Sequence, residues 1–303
     1  MKKVAERAQK HLLKQLAKEN PRNEKEAQEA LDRIIADYNK DPDAHLYDAE
    51  PETDLDRADL LIEQAEDEES AKKAIKLLNQ AIDICDYACD AYLMLADIEA
   101  NPFQSIEILE TGIKKYEEHE GDGFFKENEG HFWGLLGTRP YMRCLGRLAI
   151  LLTNIGCHTE AIDKMKYMLK LCPNDNIGIR YHLITSYVFL EKFKEAEKLF
   201  TKYDEDNAFM LYPFAIMKYK QRNMVGALAL FKEAYQANKH VLDFLAGKKN
   251  LDFDDENTYY SYGSKEEAKT YINAAASLLF SAPGLTLFLE RHYNTISKKS
   301  KVN

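Results

Sequence analysis

The chain is short of proline, glycine, tryptophan and positive charge, and each shortage removes a class of protein. Eight prolines and 13 glycines in 303 residues are too few for an all-β or largely disordered chain, which would need more of both in its turns and breaks. No apolar run approaches the roughly 18 residues that cross a bilayer, so no membrane span is expected. The opening MKKVAERAQKHLLKQ is charged and amphipathic and lacks the apolar stretch of a secretory signal, so the expected location is the cytoplasm. The five cysteines, Cys85, Cys89, Cys144, Cys157 and Cys172, are odd in number and scattered, which reads as reduced thiols rather than a disulfide framework. Positive charge is missing where a polyanion would need it. The formal net charge is −10, and residues 41–69 hold thirteen acids against one arginine, Arg57. Such a surface repels nucleic acid and anionic membranes, so neither is expected as a partner.

Catalytic signatures are also lacking. There is no phosphate-cradling GxxxxGK, no GxGxxG after a strand, and no Ser, Cys or Lys in a nucleophile elbow. Cys85 and Cys89 lie four apart on a helical stretch and could share a metal, but no second Cys or His pair lies nearby. The expectation is two small buried thiols, with no metal and no cofactor.

What the chain does contain is repetition. The stretches TEAIDKMKYMLKLCP, KEAEKLFTKYDE and VGALALFKEAYQAN place Ala161, Ala196 and Ala227 in equivalent positions, at spacings of 35 and 31. These bracket the 34-residue helix–turn–helix unit of tetratricopeptide repeats, in which a small residue lets the second helix lie close against the first. Counting Met142 as position one, Leu145, Leu148, Ala149 and Leu152 take the bulky and small sites of the first helix. Gly156 then falls in the turn, Ala161 at the twentieth site and Pro173 at the thirty-second. Glycine there permits the positive φ that ends a helix, and proline stops the next one. Upstream, DAYLMLADIEANPFQSIEILETGIKKY follows the same spacing through Tyr92, Leu95, Ala96, Ser105, Leu109 and Gly112, and an earlier pair centres on Ala74 and Ala81. Downstream, a capping box from Ser264 to Glu267 opens a stretch that stops at Pro283-Gly284. The predicted fold class is therefore all-α, an α-solenoid of tetratricopeptide-type helix–turn–helix repeats. Amphipathic helices near residues 3–18 and 24–39 precede the array. The expected organisation is 1–54 as N-terminal capping helices with an acidic linker, then 55–303 as the repeat array, with an irregular junction near 119–139.

Three stretches, DAYLMLADIEA, GHFWGLLGTRPYMR and LKLCPNDNIGIRYHL, resemble the bacterial tetratricopeptide proteins related to the suppressor-of-tumorigenicity-seven family, over most of the chain after residue 24. The chain departs from that pattern at Gly137, where a glutamate is expected before Thr-Arg-Pro. The resemblance implies an all-helical interaction scaffold, and it brings no established reaction or catalytic residue. In this repeat class the first helix of each pair lines the concave face. The resemblance thus puts Arg143 there, with Arg147 one turn on, followed by Tyr181, Thr185, Tyr212, Ile216 and Tyr219. A basic pair leading into an aromatic floor suits a protein or extended peptide that offers an acidic group or a terminal carboxylate. Asp97 stands where a complete carboxylate clamp would want an asparagine. The competing reading makes the arginines a solvated stripe and the tyrosines ordinary packing between repeats.

The stretch GHFWGLLGTRPYMRCL, residues 130–145, holds the only tryptophan. Either Phe124, Phe125, Phe132 and Trp133 fold back to plug the junction, with His131 hydrogen-bonded nearby, or His131, Trp133 and Arg139 form the wall of a ligand groove. The second case would make the protein an enzyme or a small-ligand-binding regulator. In PNDNIGIRYHL, Asn174, Asp175 and Asn176 are expected to cap the next helix. Arg180 would reach back toward them or serve as an accessory cation.

Overall fold

The computed structural model describes residues 2–40, 51–253 and 260–298, and their regular structure is entirely helical. The chain divides into two compact units: Met1–Ala100, Glu110–Glu127 and His131–Cys144 form the first, and Asn101–Leu109, Asn128–Gly130 and Leu145–Asn303 the second. The first contains α1 (Lys2–Glu19), α2 (Glu24–Tyr38), α3 (Asp54–Glu66), α4 (Ala71–Ile84) and α5 (Cys89–Ile98). Helices α6 (Pro102–Glu127) and α7 (Arg139–Asn154) contribute residues to both units, and 3-10 turns at Phe132–Gly134 and Leu136–Thr138 lie between them in sequence. The second unit continues with α8 (His158–Leu171), α9 (Ile179–Phe189), α10 (Phe193–Tyr203), α11 (Ala208–Lys220), α12 (Met224–Ala237), α13 (Lys239–Leu245), α14 (Lys265–Ala274), α15 (Ala276–Phe280) and α16 (Leu285–Ser297). Among the described residues no helix is long and apolar enough to cross a membrane. Part of the acidic linker, residues 41–50, lies outside the described residues.

Local chemistry sets the helix starts. Asn23 accepts from the Glu26 amide at 2.9 Å and opens α2. Thr53 and Asp56 form a reciprocal capping box at α3, each side chain taking the other's backbone N–H, at 3.0 and 3.2 Å. At α14 the box is only half formed. Ser264 Oγ accepts from the Glu267 amide at 3.1 Å, but the Glu267 carboxylate turns to the Gly263 amide and to Asn238 Nδ2. That carboxylate is almost wholly buried; both donors go to Oε2, and Oε1 has no hydrogen-bond partner among the described residues.

In the first unit, Ala58, Ile62 and Ala65 of α3 pack on Ala74, Leu78 and Ala81 of α4, beside Cys85, Ala88 and Ala91. The alanines allow close approach, and Leu78 fills the space between them. Gly112 of α6 allows the closest approach of all, because a Cβ there would stand 2.6 Å from the Tyr92 ring of α5. In the second unit Ala161, Ala196 and Ala227, the residues on which the repeats align, are each fully buried, as are Leu148 and Ala149. Gly156 takes φ +88° in the turn between α7 and α8, where any side chain would be strained.

His158, at the start of α8, is buried and stacked on Phe189 with ring centroids 3.9 Å apart. Its Nδ1 has no hydrogen-bond partner among the described residues, and burial lowers its pKa below the ordinary value of 6.5. A folded-state pKa below the unfolded one means that the group's contribution is complete above the unfolded value and is lost as pH falls through the folded one. Denaturant unfolding of the wild type should therefore show a stability loss from pH 7.5 to 5 that exceeds the loss in His158→Gln. Parallel pH profiles would show that the ring titrates normally.

Candidate functional site

The irregular junction is built on aromatic rings. Helix α6 runs on to Glu127, into the stretch 119–139 expected as the irregular junction, and is broken at Gly121, whose φ of 71° and ψ of 161° leave helical space. The break re-aims Phe124 and Phe125 into a cluster with Phe132 and Tyr141, and Tyr116 stacks on Tyr141 at 4.9 Å between centroids. Phe132 is fully buried, and Thr138 Oγ1 hydrogen-bonds to the carbonyls of Phe132 and Leu135. The plug expected of Phe124, Phe125 and Phe132 is therefore present, with two corrections. Trp133 is not in it: its ring is half-buried and lies 5.3 Å from the Arg139 guanidinium, whose Nε donates to the Trp133 carbonyl at 3.0 Å. The His131 ring is exposed and has no hydrogen bond among the described residues; the 3-10 turn that buries Phe132 leaves the residue before it outside. His119 lies flat on Tyr87, with centroids 3.5 Å apart.

The junction leads into the arginines of α7. Arg143 is clasped on one edge by Asp90, with Nε–Oδ1 at 3.1 Å and Nη2–Oδ2 at 2.7 Å, a bidentate pair that fixes the plane of the guanidinium. Its remaining nitrogen, Nη1, donates to Glu6 Oε2 at 2.7 Å. The other Glu6 oxygen faces Arg139 Nη1 at 3.5 Å. Burial works against the Arg143 charge, but Asp90 and then Glu6 outweigh it and raise the arginine's pKa further.

Glu6 belongs to α1, and the same helix continues the ion pairing. Lys10 reaches Asp59 at 2.7 Å and Asp56 at 3.2 Å, Lys14 reaches Asp56 at 2.7 Å, and Lys18 reaches Glu52 at 3.0 Å. Spacing by four puts Glu6, Lys10, Lys14 and Lys18 on one helix face. Burial would raise the Asp56 pKa, yet the hydrogen bond from Lys14 and the charge of Lys10 hold it well below the usual carboxylate range. For Asp59, burial outweighs Lys10 and the pKa rises. Between these charges lies a cleft of about 200 Å³ whose wall is mainly apolar and aromatic, with Leu55, Ile62, Tyr87, Tyr116, Leu136 and Pro140 contributing.

The other predicted contacts belong to the second unit, where most are already engaged. Tyr212 is a correction: it is fully buried, its hydroxyl donating to the Asn238 carbonyl at 2.7 Å and accepting from the Leu242 amide at 3.2 Å. Thr185 is also buried, and its hydroxyl bonds back to the Tyr181 carbonyl of its own helix. Neither can touch a partner while the core is closed. Tyr219 donates to the Pro283 carbonyl at 2.8 Å and packs on Phe288. Tyr181 is half-buried, donating to Glu205 and accepting from Arg180 and Asn207. Arg147 is half-buried on α7.

Arg180 does reach back: Nη1 meets the Asp175 carbonyl and carboxylate at 3.1 and 2.9 Å, Nε meets Glu205 at 3.0 Å, and the guanidinium lies over Tyr181 and Tyr203. Asp175 itself accepts from the amides of Gly178, Ile179 and Arg180, the capping role read from PNDNIGIR. Arg180 is thus held as part of the cap.

Among the described residues no group of three or more His, Cys, Asp or Glu side chains could hold a metal ion. Cys85 and Cys89 are buried, and Cys89 Sγ faces the Gly112 carbonyl at 3.7 Å. Sequence reasoning missed Glu6, Asp56, Asp59 and Asp90. The Glu6-Lys10-Lys14-Lys18 stripe was a readable signal on α1; nothing local marked Asp90. No protein-family model matches the chain, and no curated protein matches its sequence.

Proposed function

We propose that the chain is a cytoplasmic, tetratricopeptide-type scaffold that binds a protein or peptide, and that Arg143, assisted by Arg139, is the anchor for an acidic group of that partner. The observation that carries this reading is the Arg143 geometry. Asp90 orients the guanidinium from one side, and the free edge takes a carboxylate borne by a separate helix, at 2.7 Å. A donor held in place before binding loses little freedom when it binds, and its fork matches a carboxylate in a way an ammonium cannot. The repeat assignment is supported by the burial of Ala161, Ala196 and Ala227 at their aligned positions. The cytoplasmic assignment is supported by five free thiols, four of them buried. The tyrosine floor is not part of the reading, since Tyr212 and Thr185 lie in the core.

A charge-assisted hydrogen bond of this kind contributes about 1.5–3 kcal/mol, or roughly ten- to a hundredfold in affinity. The test is to isolate a partner by affinity capture and titrate it against wild type and Arg143→Lys. Arg143→Lys keeps the charge and removes the fork, so the expected result is at least tenfold weaker binding with an unchanged helical spectrum. Equal affinities would remove Arg143 from the interface.

A further inference from the structure

Helix α1 sits on the first unit in an unusual way. None of its described side chains is buried, whereas α3, whose Asp56 and Asp59 its lysines meet, buries Ala58, Ile62 and Ala65. Apart from its packing on α2, its described links to the rest of the unit are mainly ion pairs: one carboxylate on two arginines, then three lysines on Glu52, Asp56 and Asp59. Lys10, Lys14 and Lys18 keep 40%, 35% and 59% of their side-chain surface exposed, and pairs this open to water are individually weak and screened by salt. The helix also leaves space unused, because Glu6 and Lys10 line the cleft of about 200 Å³ without filling it.

We propose that the place α1 occupies is the partner's docking seat, with α1 as its exchangeable in-chain occupant. The partner is an amphipathic helix of the same charge order, a carboxylate followed at spacings of four by basic residues. This rests on the reading that Arg143 anchors the partner, and it changes the chemistry expected of that partner. Beyond the arginines the seat is acidic, so a wholly acidic peptide would meet Glu52, Asp56 and Asp59 with repulsion. A helix that adds a large apolar side chain between its carboxylate and its first basic residue fills the cleft that α1 leaves open. That gain is what lets it displace a helix held at the millimolar effective concentration of a tethered segment.

The experiment uses the full chain and, as probe, a labelled synthetic peptide with the sequence of residues 2–19. In the variant Glu6→Lys, Lys10→Glu, Lys14→Glu, reversed charges drive α1 off its seat. The peptide should bind this variant at least tenfold more tightly than wild type, more weakly as salt rises, and not at all once Arg143→Ala is added. Glu6→Gln alone should give a smaller gain in the same direction. A reversed variant that loses helicity beyond α1 would show that α1 is an integral part of the fold and would overturn the proposal. So would a folded variant that binds the peptide no better than wild type. Either failure leaves the partner titration against Arg143→Lys standing on its own. Conversely, tight peptide binding beside equal partner affinities would keep the seat and remove the proposed function.

Discussion

Tyr212→Ala is expected to destabilise the second unit by about 3–5 kcal/mol, the cost of deleting a fully buried aromatic side chain. The ring has no exposed surface and lies 5.5 Å from Tyr271 and 6.4 Å from Phe231, centroid to centroid. Its hydroxyl serves two backbone groups, the Asn238 carbonyl and the Leu242 amide. Tyr212→Phe separates the contributions: it keeps the packing and strands both groups away from water, for about 1–3 kcal/mol. Denaturant melts of the two variants give both numbers. Were Tyr212 a contact on a binding face, alanine would cost well under 1 kcal/mol of stability and would damage capture instead.

The second large effect is expected at Asp90. Asp90→Ala removes both hydrogen bonds that set the plane of Arg143, leaving a largely buried guanidinium with Glu6 as its nearest acid. The Arg143 and Asp90 side chains are only 21% and 16% exposed, so this is not a solvated surface pair. Its loss should cost about 1.5–3 kcal/mol of stability, against less than about 1 for an open ion pair. Asp90→Asn, which keeps one acceptor, should fall between. Chemical denaturation measures the stability. A loss below about 0.5 kcal/mol would show that Arg143 is not held in advance and would remove the basis for calling it an anchor.

Much of the architecture was legible because it depends on near neighbours. Small residues at a fixed interval mark where helices approach, and Ala161, Ala196 and Ala227 are all buried at those points. Helices expected near 3–18 and 24–39 occur at Lys2–Glu19 and Glu24–Tyr38, since charge and apolar spacing with a capping asparagine define them locally. The site was less legible. Arg143 was picked out, but its partners lie 53 and 137 positions away, at Asp90 and Glu6, and no periodicity links such distances. Tyr212 was misplaced for a different reason. It was assigned to an exposed row by its position in a repeat, although the run AFMLYPFAIM is apolar on every side, and a helix of that kind is buried all round.

Trp133 is the only tryptophan in the chain, and its ring faces the Arg139 guanidinium, which in turn faces Glu6 of α1. The indole emission of the unaltered protein therefore originates at a single corner of the first unit. A change in its wavelength or intensity on adding a candidate ligand reports on that corner, without a label or an engineered fluorophore. Trp133, which the sequence offered either as junction plug or as part of a groove wall, is in this arrangement a built-in optical probe of the arginine beside it.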